Sequence, residues 1–174
     1  LSAPGAPLKQ ALLDAGMGKD ILGSYDDGIY QPFFSIVAKN AKPENKEAFV
    51  NLIQDTLRKI AKEGIDKKAI AAGINFLEFR FREADFSSFP KGLMYGIDVF
   101  DSWLYDDDMP FDHLKKLDIF ESLKQKAKEG YFETLIEEYL LDNPHASVVV
   151  VNPKRGLAAQ RDKELEEKLA AYKA

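Results

Sequence analysis

Two helix-period patterns meet in one short stretch of this chain, and they constrain most of what it can fold into. Ile70, Ile74, Leu77 and Phe81 fall at offsets of four, three and four, and Leu93, Ile97, Phe100 and Leu104 repeat that spacing. Each set forms an apolar stripe along one side of an α-helix. Large aromatics crowd the same region: Phe81, Phe86, Phe89, Tyr95, Phe100, Trp103, Tyr105 and Phe111 all lie within residues 80–111. A surface loop does not concentrate such groups. Both stripes are therefore expected to be buried, against a sheet or against each other. Phe76 and Phe79 lie off the first stripe, which predicts that its helix packs on two sides.

The flanking sequence supplies a sheet and further helices. Residues 1–7 read as a loop with two prolines and a glycine, and residues 8–15 as a short helix that Gly16 and Gly18 end. Residues 20–25 and 29–39 read as two strands about an Asp26–Asp27–Gly28 turn, and Pro32 argues for an edge or a bulge in the second. Pro43 opens a helix with Phe49, Leu52, Ile53, Leu57 and Ile60 on one side, and Gly64 stops it. Asp66 caps the next helix, and Phe89–Pro90 starts the one after. Asp118 with Glu121 resembles a capping box for a helix whose apolar side is Ile119, Phe120 and Leu123. Gly130 breaks that helix, and residues 131–141 form another. The four valines of residues 147–151 predict a strand buried on both faces. Residues 157–172 read as a charged helix with a narrow stripe of Leu165, Leu169 and Tyr172. The expected fold class is α+β, with helices on one face of a small, mostly antiparallel sheet.

Composition excludes several function classes. At 174 residues, 45% hydrophobic and 30% charged, the chain is globular and long enough for one ordinary domain. A net charge of −5 argues against nucleic acid as a partner. No apolar run approaches the roughly 20 residues that span a bilayer, and LSAPGAPLKQ lacks the basic head and apolar core of a signal peptide. With no cysteine there is no disulfide, thiolate metal site or cysteine nucleophile, and a reducing compartment is permitted. The cytoplasm is the expected location, with an organelle as the alternative. Leu1 at one end and a charged helical pattern at the other suggest a piece of a longer protein.

The chemistry-bearing residues assemble into no recognisable catalyst. Zinc hydrolysis needs at least three ligands and a base beside the bound water. The two histidines, His113 and His145, begin neither H-E-x-x-H nor H-x-x-E-H, and read as surface or cap residues. Asp106, Asp107 and Asp108 are consecutive, not spaced like a calcium loop, and read as a solvated turn. Arg80 and Arg82, beside Glu78, Glu83 and Asp85, either aim a guanidinium at a peptide carboxylate or form an internal ion-pair network, the plainer reading. Lys154–Arg155–Gly156 lacks the glycine run of a phosphate loop. Ser24, Ser35, Ser87 and Ser88 have no nearby histidine for a triad. No catalytic or metal-binding residue is assigned, and substrate-binding residues are unknown.

Four segments occur in the order of one peptidase family: PLKQALLDAGMGKDILGSY, IYQPFFSIVAKNAKPENKEAF, FREADFSSFPKGLMYGIDVFDSWLYDDDMPF and NPHASVVVVNPKRG. The chain resembles the presequence-protease branch of the pitrilysin/insulinase zinc metallopeptidases. The resemblance implies most of the second, non-catalytic α+β domain over residues 1–155 and the start of a helical hinge over 156–174. It implies a parent enzyme whose first domain binds zinc through H-x-x-E-H, and whose halves close around unfolded peptides. The implied partners are the remaining domains of the parent and, in the full enzyme, peptide substrate. No membrane partner is implied, and no catalytic residue carries over. The competing readings are a stand-alone interaction module and a hydrolase with an unrecognised carboxylate site. An absent first strand would leave an open sheet edge, so self-association is expected.

Overall fold

The computed structural model describes residues 5–173; of the expected opening loop, residues 1–4 lie outside it. The chain begins with α1 (Pro7–Asp14), whose proline sits in the first turn, where its missing N–H costs nothing. Its C-terminus closes through a Schellman pair, Met17 N–H to Leu12 O and Gly16 N–H to Leu13 O. Gly16 takes the left-handed conformation this needs, with φ +62°. An antiparallel hairpin follows, β1 (Asp20–Asp26) and β2 (Phe33–Lys39), with Ile21 opposite Ala38 and Gly23 opposite Ile36. The second strand starts only after Pro32, not at residue 29, because proline cannot donate to the ladder.

Then come α2 (Lys46–Glu63), α3 (Lys67–Glu83), α4 (Lys91–Trp103), α5 (Leu117–Lys126), α6 (Tyr131–Ile136) and α7 (Leu157–Lys173). The Asp66 carboxylate accepts from the Lys68 N–H at 2.9 Å and caps α3 as expected. The corner between α2 and α3 is held from a distance. The Glu133 carboxylate on α6 accepts from Ile65 N–H at 2.8 Å, beside Gly64 at φ +88°. After α6 the chain runs as a π-helical turn over Glu137–Leu141.

The core lies where α1 packs on both the hairpin and α2. Leu8, Leu12, Ile21 and Leu57 are its buried centre, with Ile36, Ala38, Phe49, Leu52, Ile53, Ile136 and Leu140 packed around them. Leu12 and Ile21 are the largest side chains removed entirely from water among the described residues. The α+β class is as expected, with helices on one face of an antiparallel sheet. On the other face Leu22 and Val37 remain exposed.

Four expectations are corrected. Residues 147–151 form no strand, so the sheet has two strands among the described residues; Val149 and Val151 are 80% and 86% exposed. Valine favours a strand, but a strand also needs a neighbour to take its N–H and C=O groups. The stripe Leu93, Ile97, Phe100 and Leu104 is exposed, because α4 packs chiefly on the turn at Asp112–Leu114 and among the described residues nothing covers that side. On α3, Ile74 is buried and Ile70 and Phe81 are half-buried, but Leu77, Phe76 and Phe79 face water. The covered face runs through Glu78 instead, because it meets α5. Finally, Asp118 is no cap: Lys116 holds the N-cap position of α5 without a side-chain bond, and Glu121 pairs with Lys124.

Candidate functional site

The α3–α5 contact carries a network of charged side chains. Glu78 on α3 is buried as a residue and accepts from Arg82 Nε at 2.8 Å. Its other oxygen lies 2.6 Å from Lys124 Nζ on α5, and Lys124 also reaches Glu121 at 3.0 Å. The Lys124 hydrogen bond and then that of Arg82 hold the Glu78 carboxyl below the ordinary carboxylate range, against a smaller opposing effect of burial. The bonds to Glu78 and Glu121 hold Lys124 above the ordinary lysine range. Phe81 and Phe120 pack beside this network with ring centres 5.9 Å apart.

Of the two arginines, Arg82 takes part in an internal ion pair, the plainer of the two expectations. Arg82 is committed to Glu78. Arg80 donates to the Asp85 carbonyl at 3.3 Å and lies over the Phe76 ring. Ser24 and Ser35 face each other across the hairpin at 2.9 Å, which is a cross-strand pair and not a nucleophile with its base. His145 is exposed, and its backbone N–H donates to the Asn143 side chain. His113 is half-buried in the turn after α4. The two histidines lie in separate segments, and among the described residues no three metal-ligating side chains converge. With two histidines, no cysteine and no H-x-x-E-H, this chain's donor set does not fit a catalytic zinc ion.

The exposed side of α4 carries an aromatic pair. Phe100 and Trp103 stack with centres 5.9 Å apart and planes 12° apart. With Leu104 and Asp107 they line a shallow hollow of about 320 Å³. Beside it Tyr105 meets Tyr30 from the loop between the strands, at 5.6 Å. The helix ends here with no basic residue in its last turn, and Asp106, Asp107 and Asp108 follow. Asp106 accepts from the Asp108 N–H at 2.9 Å, the turn that the aspartate run predicts. The hollow escaped the sequence reading because its residues belong to a stripe expected in the core. The one available signal was three aspartates at a helix C-terminus, where cations are the rule.

No family model matches the chain. Individual proteins do. The chain is 43% identical over 168 residues to "Protein HypA" of Clostridium perfringens, covering 97% of this chain and 17% of the relative. It is 37% identical over 179 residues to "Presequence protease 1, chloroplastic/mitochondrial" of Arabidopsis thaliana, covering 100% and 16%. It is 27% identical over 175 residues to "Presequence protease, mitochondrial" of Xenopus laevis, covering 97% and 16%. The match is thus end to end for this chain, yet the chain spans only about a sixth of each relative. The chain is similar, end to end, to a segment of the presequence proteases of the pitrilysin/insulinase family.

Proposed function

We propose that this chain is a non-catalytic part of a zinc-dependent endopeptidase that degrades unfolded peptides, and that it forms part of the wall of the closed peptide chamber. The observation that carries the reading is the end-to-end identity of 37% to a presequence protease, over a segment covering 16% of that enzyme. A segment without a zinc donor set contributes shape and surface, and the metal belongs elsewhere in the parent. There it would polarise the scissile carbonyl and activate water. In this reading residues 156–174 begin the hinge, and the remaining domains of the parent are the partners. A stand-alone interaction module of the same fold is the second reading; the exposed stripes on α4 and α7 favour it as far as they favour contact with missing domains.

Among the described residues no helix is long and apolar enough to cross a membrane. For the compartment we take the cytoplasm or the interior of an organelle, the latter because the plant and frog relatives carry organellar names. Self-association of the chain is part of the proposal, since among the described residues each strand of the hairpin has an unpaired edge. The test is the parent gene and its product. An H-x-x-E-H upstream of Leu1, with peptide cleavage by the whole protein that a chelator abolishes, is expected. A complete parent without that motif and without peptidase activity would leave the interaction module standing.

A further inference from the structure

We propose that residues 64–65 and 130 form a pivot inside this chain, and that the Glu133 carboxyl is the latch that holds it closed. The chain divides into two bodies. The hydrophobic core about Leu12 and Ile21 draws only on residues up to Leu57 and from Ile136 onward. Helices α3 and α5 pack on each other and on the turn at Ala127–Glu129, and α4 packs on the turn at Asp112–Leu114. The Phe81–Phe120 contact and the Glu78 ion pairs tie this second body together. Among the described residues no salt bridge joins residues 66–129 to the core of α1, the hairpin and α2.

The backbone passes between the bodies twice, at Gly64–Ile65 and at Gly130. Both glycines hold positive φ, +88° and +81°, a region open to glycine and strained for other residues. Hinges are built from a few such positions at the ends of elements, where a change of φ and ψ is absorbed. One side chain lies against both crossings. Glu133 Oε1 accepts from the Ile65 N–H at 2.8 Å. A Cβ on Gly64 would stand 3.7 Å from that oxygen, and one on Gly130 would stand 3.8 Å from Oε2. The latch is poised rather than tight. It makes one hydrogen bond, while Oε2 is buried without a partner among the described residues, so opening returns that oxygen to water. A further contact that opening would break is already wet. Tyr30, in the loop between the strands, meets Tyr105, just beyond α4, and they are 78% and 51% exposed. Opening therefore swings residues 66–129 as one body against the core. The pivot and its latch lie within the chain, so the inference does not depend on the peptidase reading.

The chain has no cysteine, so a pair of spin labels can be placed on it cleanly. Asn51→Cys on α2 and Ser122→Cys on α5, both at exposed positions, put one label on each body. Double electron–electron resonance reads the distance between them. One narrow distribution is expected with Glu133 intact. Glu133→Ala should widen it about twofold or more, or add a second distance, with the helical circular dichroism unchanged. Glu133→Gln keeps an acceptor for the Ile65 N–H and should restore most of the narrow distribution. Glu138→Ala, an exposed position in the turn that follows α6, should leave the distribution as it is. Deuterium exchange tests the same pivot in the unsubstituted chain. The Ile65 amide should exchange about tenfold faster, or more, than those of Ile53 and Leu57 in α2, because opening frees it without unfolding the core. A Glu133→Ala distribution as narrow as that of the unsubstituted pair overturns the proposal. So does equal widening by Glu138→Ala, or an Ile65 amide as slow as those of α2.

Discussion

Leu12→Ala and Phe100→Ala, measured side by side, test where the core is. Both residues are large and apolar, and both lie on helical stripes. Leu12 is 0% exposed at the centre of the α1–α2–hairpin core, whereas Phe100 is 50% exposed. Truncating Leu12 removes buried carbons and leaves a closed void, which costs about 2–5 kcal/mol. Truncating Phe100 forfeits only about half of the ~1.5–3 kcal/mol that full burial of such a side chain is worth. It opens no cavity, because the site already faces water, so about 1 kcal/mol is expected. The assay is urea unfolding followed by far-UV circular dichroism. With a slope of about 2 kcal/mol/M, the midpoint should fall by about 1.5 M for Leu12→Ala and about 0.5 M for Phe100→Ala. If Phe100→Ala shifts the midpoint as far as Leu12→Ala, the side of α4 that carries Phe100 is covered in solution, and the assignment of the core is wrong.

Three further outcomes are expected. Glu78→Gln should lower the melting temperature at neutral pH. The gap from the parent should close in acid, as the parent loses the contribution while pH falls through the depressed Glu78 range. The Lys124 contribution runs the other way, complete below the ordinary lysine range and lost as pH rises through the elevated one; a gap unchanged from acid to alkali would refute both. Gly18→Ala should destabilise by about 1–3 kcal/mol, since its new Cβ would sit 2.9 Å from the Lys39 carbonyl oxygen. Gly73→Ala, with nothing within 4 Å in mid-α3, should stabilise by about 0.5–1 kcal/mol; thermal melts that reverse this order would sink the packing at β2. Finally, the chain should retain no stoichiometric zinc after dialysis, as read by elemental analysis, and should not cleave a quenched fluorescent peptide.

The amino-acid sequence determined the local structure of this protein. Gly16, Gly64 and Gly130 end their helices, Asp66 caps α3, Pro43 opens the turn into α2, and the hairpin forms about residues 27–32. These are decisions of neighbours along the chain, made by backbone freedom and short-range hydrogen bonds. The order of the four family-like segments was equally legible, because homology is carried by sequence. Tertiary structure alone decided which faces are covered. Periodicity says that Leu93, Ile97, Phe100 and Leu104 share a side of α4; it cannot say whether another element arrives to bury them, and among the described residues none does. On α3 the same stripe was displaced by one residue, from Leu77 to Glu78, because α5 offered Lys124 as a partner. The valines at 148–151 show the limit most plainly. Their preference for a strand is intrinsic, but a strand exists only when a distant segment supplies the other half of its ladder.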